Sequence, residues 1–414
     1  MRPKPWLLLV LVGAAIGLVF AGVSTYDFVQ HLDRQVHSLH CSFIPGMGHE
    51  TGTSGCQVAM MSTYSSVFRA KVWGGVPIAL PAMSVFAFIL LAALDLAITR
   101  RKDDRRATGF LALACCLPAL MSLVMLAISL TKLGTTCKLC VCIYISSALC
   151  LTGAILAWRR ACRPLASSTS GSELVPVDAG GTSYGRLGAA FGIGVLFVLV
   201  PVLLYFALAP DHGKFIGTCD TLPKPDDPYG VMVRLTNDRV AADPAPTIEV
   251  LDPLCPACKA FEERLESTGQ ADRLDRKAIL FPLDNTCNWM VTEATHPGAC
   301  TVSEAVLCAG AKAPEVIAWA FAVQDRVREE TAKDPAAAAR IVKERFPELA
   351  SCVGSPEARS KLNKSLRWSV ANNVRVLTPQ LFVRGAKLCD EDVDLGLEYA
   401  LPRLIDRSER KVTK

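Results

Sequence analysis

Charged residues are scarce in this chain of 414 residues. Lysine, arginine, aspartate and glutamate make up only 20% of it, whereas 51% is hydrophobic. That balance is too apolar for an ordinary soluble protein of this size, so it predicts several membrane spans joined to a soluble part. The net charge of +5 is small, and the sequence lacks basic runs interleaved with aromatic residues. Nucleic-acid binding is therefore not expected.

The first apolar run, Trp6 to Val23, lacks a clear small-x-small cleavage site, so we expect a retained span rather than a secretory signal peptide. Helical spacing from Cys56 to Trp73 predicts a short amphipathic helix at the membrane surface. Further apolar runs predict four more spans: Val76 to Ile98, Phe110 to Leu130, Cys137 or Cys140 to Trp158, and Leu187 to Ala209. The expected architecture is an all-α transmembrane four-helix bundle in 1–160, a cytoplasmic linker in 161–186, and a fifth linking transmembrane helix in 187–209.

Residues 210–414 read as an α/β domain. Thr247 to Leu251 predicts a strand that runs into Cys255-Pro256-Ala257-Cys258, and Lys259 to Leu265 predicts a helix. A long helical stretch, placed at about 286–375, separates this unit from a second strand at Gln380 to Val383. Other predicted elements are a strand at Ala278 to Leu283 and a helix at Leu395 to Ile405. This order predicts a thioredoxin-like domain with a helical insertion.

Basic clusters set the expected membrane orientation. Arg2 with Lys4, the Arg100–Arg106 cluster, and Arg159 to Arg163 with Arg186 fall at alternate ends of the predicted spans, which places them in the cytoplasm. The chain is then predicted to be a multi-pass protein of the cell inner (plasma) membrane, with the thioredoxin-like domain in the periplasm or outside. Of the 17 cysteines, eight follow residue 210, and such density favours an oxidising compartment.

Two Cys-x-x-Cys pairs carry the expected chemistry. Cys255 precedes Pro256 at a helix start, where the helix dipole and unpaired N–H groups favour a thiolate, so we expect an exposed nucleophile there and a buried resolving thiol at Cys258. Cys137 and Cys140 begin the fourth predicted span, and helical spacing would place Tyr144 on their face. A metal pair or structural disulfide is the alternative for the first pair, and a membrane-interface tyrosine is the alternative for Tyr144.

The soluble part resembles the Dsb-type branch of the thioredoxin fold. The residues that carry this resemblance are Cys255-Pro256-Ala257-Cys258 after a strand and Thr378-Pro379 before a strand. The resemblance implies a cis proline at Pro379, in an active-site loop that faces the two cysteines.

Trp6 to Trp158 resembles the vitamin K epoxide reductase family, whose bacterial members are often fused to a thioredoxin-like domain. The matching features are loop residues Cys41 and Cys56, Ser62, Gly75-Val76-Pro77, and Cys137-Lys138-Leu139-Cys140 with Tyr144. The loop between Cys41 and Cys56 is longer and richer in glycine and histidine than in many members.

The resemblance implies a membrane thiol:quinone oxidoreductase that drives disulfide formation in reduced secreted or periplasmic client proteins. Electrons would pass from Cys255/Cys258 to Cys41/Cys56, then to Cys137/Cys140, and finally to ubiquinone or menaquinone. Ser62 and Tyr144 would bind the quinone, and membrane lipid would surround the spans. No metal is expected. Two alternatives stay open: a reductase or isomerase that is kept reduced, and a membrane-anchored metal carrier that uses the Cys-x-x-Cys pairs.

The remaining soluble cysteines are expected to form structural disulfides. The predicted pairs are Cys287–Cys300, Cys308–Cys352 and Cys219–Cys389.

Overall fold

The computed structural model describes residues 5–33, 55–99, 101, 103–162, 181–235 and 243–412. The chain divides into two compact units, Met1–Ala209 and Pro210–Lys414. The division falls where the sequence predicts the start of the thioredoxin-like domain.

Long apolar helices dominate unit 1. The helices are α1 (Pro5–Asp33), α2 (Gly55–Met61), α3 (Ala79–Ile98), α4 (Arg105–Ile128), α5 (Lys138–Ala161) and α6 (Tyr184–Leu208), and a two-stranded ribbon pairs β1 (Ser66–Val67) with β2 (Val76–Pro77). All of them except α2 have at least 20 residues. At about 1.5 Å per residue, each can cross a hydrocarbon core of about 30 Å.

The helices of unit 1 pack closely through small residues. Phe86 is fully buried among the apolar side chains of α1, α3, α4 and α5. A Cβ atom at Gly17 would lie 2.5 Å from the Phe86 ring, so glycine is needed for α1 to approach α3 at this point. Cys115 and Cys150 belong to the same core, as expected for cysteines that act as small apolar side chains.

Several element boundaries differ from those predicted. Helix α1 extends through Asp33, ten residues beyond the predicted end of the first apolar run at Val23. The amphipathic helix predicted over 56–73 ends at Met61. Val76 and Pro77, predicted as the start of the second span, pair with β1 instead, and α3 begins at Ala79. Helix α6 begins at Tyr184, inside the predicted linker, because Ser183 caps it by accepting the Arg186 N–H.

Unit 2 is built on a five-stranded sheet with the order β3-β5-β4-β6-β7. The strands are β3 (Val233–Arg234), β4 (Ala245–Leu251), β5 (Leu274–Leu280), β6 (Gln380–Val383) and β7 (Ala386–Lys387). β4 and β5 are parallel with Ala245 opposite Leu274, and the other neighbours are antiparallel. β4 is the central strand and leads directly into the Cys-x-x-Cys helix, which is a thioredoxin-like arrangement.

Helices complete unit 2. They are α7 (Pro256–Ser267), α8 (Ala299–Ala309), α9 (Ala313–Lys333), α10 (Ala337–Arg345), α11 (Pro356–Ala371) and α12 (Leu397–Val412). Helices α8–α11 form the insertion between β5 and β6. The stretch Ala299–Lys333 is long and apolar enough to cross a membrane. It is interrupted at Gly310, and its apolar side chains belong to the core of this unit, so we interpret it as part of the insertion.

Three disulfides stabilise unit 2. They join Cys219 to Cys389, Cys287 to Cys300 and Cys308 to Cys352, the same pairs that the sequence analysis proposed. Each bond closes a loop of the unfolded chain and so lowers its conformational entropy.

Candidate functional site

Cys137 occupies the N-cap position of α5 in unit 1. Its backbone is extended, with φ −87° and ψ 127°, and its sulfur accepts the Cys140 N–H at 3.4 Å. Cys137 therefore precedes the helix instead of belonging to its first turn, but its sulfur still lies beside Cys140, as the spacing predicts. A sulfur that accepts an N–H at a helix N-terminus is favoured as a thiolate, which is the nucleophilic form.

Cys56 approaches Cys137 from α2. The two Sγ atoms lie 3.0 Å apart, and both residues are buried. Cys56 is disulfide-bonded, whereas Cys137 is a free thiol. Unbonded non-hydrogen atoms normally meet at about 3.5 Å or more, so this pair is closer than ordinary packing requires. The arrangement places a thiol beside the sulfur of a disulfide, a geometry from which thiol–disulfide exchange can proceed in either direction.

Gly55 permits this approach. A Cβ atom at Gly55 would lie 2.5 Å from the Thr136 carbonyl oxygen, so any larger residue would push α2 away from the segment that precedes α5. That segment turns at Gly134, whose φ of 62° lies in the left-handed region that favours glycine. Gly55 therefore permits the close approach of the two sulfurs, and Gly134 permits the turn that precedes Cys137.

A buried arginine organises the loop that follows α2. Arg69 donates from Nε to Ser66 Oγ at 2.6 Å, from Nη2 to the Ser62 carbonyl oxygen at 2.5 Å, and to Ser65 Oγ at 3.2 Å. The Ser62 hydroxyl donates to the Ala59 carbonyl at 2.7 Å and accepts the Tyr64 N–H at 3.3 Å. The hydroxyl proposed as a quinone partner is thus held within its own turn.

The α1 face beside the sulfur pair carries a carboxylate that the sequence analysis missed. Phe20 and Val23 pack against the cluster of Cys56, Cys137 and Leu139. Asp27 lies four residues after Val23 and seven after Phe20, hence on the same helix face, and it is 4% exposed. In the sequence, the feature that indicates a helical position for Asp27 is the helical spacing, which continues past Ser24.

In unit 2, Cys255 is the N-cap of α7 and Pro256 is its first residue. Cys258 lies one turn in and is fully buried, as predicted. The expected exposure of Cys255 is wrong, since only 4% of this residue is exposed. Its sulfur lies 3.6 Å from the Thr378 carbonyl oxygen, because the loop that contains the cis Thr378–Pro379 peptide bond covers it.

The two thiols of this motif differ in acidity. The pKa of Cys255 is lowered from its ordinary 9.0 to about 6. The largest cause is the hydrogen bond from the Cys258 thiol, which stabilises the thiolate more than burial destabilises it. Burial, followed by the neighbouring Cys255, raises the pKa of Cys258 well above its ordinary value. Cys255 is therefore the attacking thiol and Cys258 the resolving thiol.

A buried Asp–His pair supports the turn before Cys255. The Asp252 carboxylate accepts the N–H groups of Leu254 and Leu283 at 2.8 Å each, and it lies 2.7 Å from His296 Nδ1. The Asp252 carbonyl accepts the Cys255 N–H at 3.1 Å. Burial lowers the pKa of His296, but the hydrogen bond and charge of Asp252 outweigh it, so the net pKa is raised.

A second buried network ties α7 to the sheet. Arg276 on β5 contacts Glu249 on β4 at 2.6 Å and donates from Nη1 to Glu262 of α7 at 2.7 Å. Burial raises the pKa of Glu249, although the Arg276 charge opposes that effect. In the sequence, this network is indicated only by Glu249, a glutamate in the middle of an apolar strand.

Protein-family models were compared with the chain, and one of them matches unit 1. Residues 8–155 match the Vitamin K epoxide reductase family. Unit 1 contains a vitamin K epoxide reductase domain. Among curated proteins, no significant match to the chain was found.

Solved structures similar to the chain are thioredoxin-like oxidoreductases. Reduced DsbA1 from Neisseria meningitidis has 15% identity and a TM-score of 0.31, covering 46% of this chain and 100% of that one. DsbA from Xylella fastidiosa has 17% identity and a TM-score of 0.29, covering 43% and 95%. A thioredoxin-like oxidoreductase from Silicibacter pomeroyi has 17% identity and a TM-score of 0.30, covering 44% and 94%. Our fold assignment depends on the sheet order and the Cys-x-x-Cys helix of unit 2 itself.

The structure brings some predicted site residues together and leaves others apart. In the vitamin K epoxide reductase domain, Cys56 and Cys137 meet, and Tyr144 is half-buried on α5. Cys41 lies outside the described residues. Together with the thioredoxin-like unit, this domain supports a thiol–disulfide oxidoreductase in a multi-pass membrane protein.

Proposed function

We propose that the protein is a membrane thiol:quinone oxidoreductase that forms disulfides in extracytoplasmic client proteins. The observation that carries the proposal is the 3.0 Å separation between the sulfur of disulfide-bonded Cys56 and the free thiol of Cys137. At this distance the two sulfurs are in direct contact, as thiol–disulfide exchange between them requires. Placed at the end of a membrane helix, this contact suits a relay between a soluble dithiol and a membrane-soluble acceptor.

The proposed relay moves two electrons per cycle. A client dithiol reduces the Cys255–Cys258 disulfide and leaves as a disulfide. The resulting dithiol reduces the Cys41–Cys56 disulfide through a mixed disulfide between Cys255 and Cys41. The Cys56 thiolate then attacks Cys137 of the Cys137–Cys140 disulfide, with Cys140 as leaving group, and Cys41 resolves the mixed disulfide.

The last step is the oxidation of the rim dithiol. Cys137 and Cys140 return to a disulfide, and their two electrons and two protons convert a quinone to a quinol. We propose ubiquinone or menaquinone as acceptor, with the Tyr144 hydroxyl as hydrogen-bond donor to a quinone oxygen. The Ser62 hydroxyl already donates its proton to the Ala59 carbonyl, so at the quinone site this oxygen would act only as a hydrogen-bond acceptor or as part of the loop.

The lowered pKa of Cys255 supports the oxidase direction over a reductase or isomerase. A stabilised thiolate stabilises the reduced form of unit 2, which makes its disulfide a stronger oxidant of client thiols. The basic clusters at alternate helix ends favour a periplasmic or external location for unit 2 in the inner membrane topology.

Quinone reduction by the purified full chain tests this function. With a reduced client protein as donor, we expect Cys140→Ala to lower the rate at least about 100-fold, since no rim disulfide can form. The matched control is Cys142→Ala, which removes a thiol from the same helix and should leave the rate within about threefold. Normal turnover of Cys140→Ala would exclude the relay. An in-cell Cys255/Cys258 pair that is mostly reduced would instead support the reductase.

A further inference from the structure

A cavity of about 520 Å³ opens at the arginine-rich end of unit 1, at the opposite end of α5 from Cys137 and Cys140. It lies between the start of α4, the end of α5 and the start of α6. The residues that line it are Arg105, Arg106, Gly109, Phe110, Leu113, Trp158, Tyr184 and Leu187. No step of the proposed relay uses these residues.

The outer part of the cavity is rich in hydrogen-bond donors. Arg105 and Arg106 bring two guanidinium groups, and the Arg106 guanidinium lies 4.5 Å from the centre of the Tyr184 ring, a cation–π contact that orients it. The Trp158 indole lies against Gly109, where an added Cβ would be 3.1 Å from Nε1. The lining contains no carboxylate. Such a set of groups suits an anion, and Arg is well shaped for phosphate.

The carboxylate of Asp104, which precedes the two arginines in sequence, is already engaged in hydrogen bonds. Asp104 caps α4 by accepting the Arg106 N–H at 2.9 Å, and it accepts the Thr182 N–H at 2.7 Å. These bonds hold the start of α6 beside the start of α4, and so they fix two walls of the cavity.

The inner part of the cavity is apolar and continues along α4. Phe110 and Leu113 lie one and two turns beyond the arginines, and Leu187 faces them from α6. Beyond the cavity, Leu117 and Leu120 follow Leu113 at spacings of four and seven residues and are 55% and 61% exposed. A stripe of exposed leucines on a membrane-spanning helix is a surface for acyl chains.

We propose that this cavity binds an anionic phospholipid, with its phosphodiester between Arg105 and Arg106 and its acyl chains along Phe110, Leu113 and the leucine stripe. A free phosphate ion would use the guanidinium groups alone and leave the apolar wall empty. Basic pockets between membrane helices are known to suit acidic lipid headgroups. The bound lipid would join α4, α5 and α6 at their charged ends. This site is independent of the proposed redox relay.

Native mass spectrometry of the delipidated full chain tests the site, with phosphatidylglycerol and phosphatidylcholine of identical acyl chains as ligands. We expect one tightly bound phosphatidylglycerol. Because each arginine near a membrane contributes about 1 kcal/mol to the binding of an acidic lipid, the double variant Arg105→Gln/Arg106→Gln should bind it roughly 10- to 30-fold more weakly. Phosphatidylcholine binding should change far less.

The matched control is Arg159→Gln/Arg160→Gln, which removes the same charge from the exposed end of α5 without touching the cavity. An equal loss in this control would overturn the proposal, because bulk surface charge would then explain binding. Displacement of the lipid by equimolar inorganic phosphate would overturn it as well. The variant Arg105→Lys/Arg106→Lys keeps both charges and should retain the preference for phosphatidylglycerol, which separates lost binding from lost folding.

Discussion

Removal of the Cys258 thiol tests the electrostatics of unit 2 directly. The Cys258 thiol is the largest cause of the lowered pKa of Cys255. In the reduced wild-type protein, a pKa of about 6 leaves Cys255 about 90% ionised at pH 7. In Cys258→Ala, burial still opposes ionisation, so the pKa of Cys255 should rise by roughly one pH unit or more towards the ordinary 9.0.

The lowered pKa also has a consequence for stability. A thiol whose pKa is lower in the folded state stabilises that state fully above the unfolded pKa, and the contribution is lost as the pH falls through the folded pKa. With about 6 in the folded state and 9.0 in the unfolded state, the reduced form gains about 1.4 kcal/mol at pH 7 and almost nothing below pH 5. For a two-electron couple, 1.4 kcal/mol corresponds to about 30 mV of added oxidising potential.

Alkylation of Cys255 as a function of pH measures this effect. The reduced full chain is treated with iodoacetamide between pH 4 and 9, and the peptide that contains Cys255 is quantified by mass spectrometry. The wild-type midpoint should lie near 6 and the Cys258→Ala midpoint clearly higher. An equal midpoint in both proteins would refute the assigned cause, and a wild-type midpoint near 9 would refute the thiolate argument as a whole.

Two further predictions concern buried charges in unit 2. Arg276→Met leaves Glu249 buried without its partner and should lower the free energy of unfolding by about 3–5 kcal/mol in chemical denaturation. The control Arg273→Met removes an exposed ion pair and should cost less than about 1 kcal/mol. The raised pKa of His296 means that its pairing with Asp252 stabilises the fold fully below pH 6.5 and loses that effect as the pH rises through the folded pKa. In His296→Gln the free energy of unfolding should not show this loss as the pH rises. The same pH dependence of the unfolding free energy in the wild type and in His296→Gln would argue against the pairing.

The sequence predicted those features that local chemistry determines. The Cys255 motif was found because a strand, a Cys-Pro step and a helix are consecutive in the chain, and the capping role follows from Pro256 alone. The long apolar helices followed from run length. The disulfides were harder, since Cys219 and Cys389 are 170 residues apart in sequence. In the structure these two cysteines meet because the segment around Thr221 pairs with β7.

Other features depend on tertiary approach and left only weak traces in the sequence. Cys137 looked like a helix residue because it keeps i, i+3 spacing with Cys140, but its extended backbone makes it a cap. The distance between Cys56 and Cys137 is set by Gly55, whose role no spacing rule describes. Asp27 lies beyond the apolar run that ends at Val23, although the helix continues to Asp33.

The two Cys-x-x-Cys motifs share one local design and differ in what covers the first sulfur. Each first cysteine is an extended N-cap, and each second cysteine lies one turn into a helix. Over Cys255 lies the Thr378–Pro379 loop, with the Thr378 carbonyl oxygen 3.6 Å from the sulfur. Over Cys137 lies another sulfur at 3.0 Å. Among the described residues, Cys255 therefore has no second sulfur outside its own motif as a fixed partner, which suits varied external thiols, whereas Cys137 faces one fixed internal sulfur. This difference supports the proposed order, with client thiols meeting unit 2 first and the rim dithiol acting last.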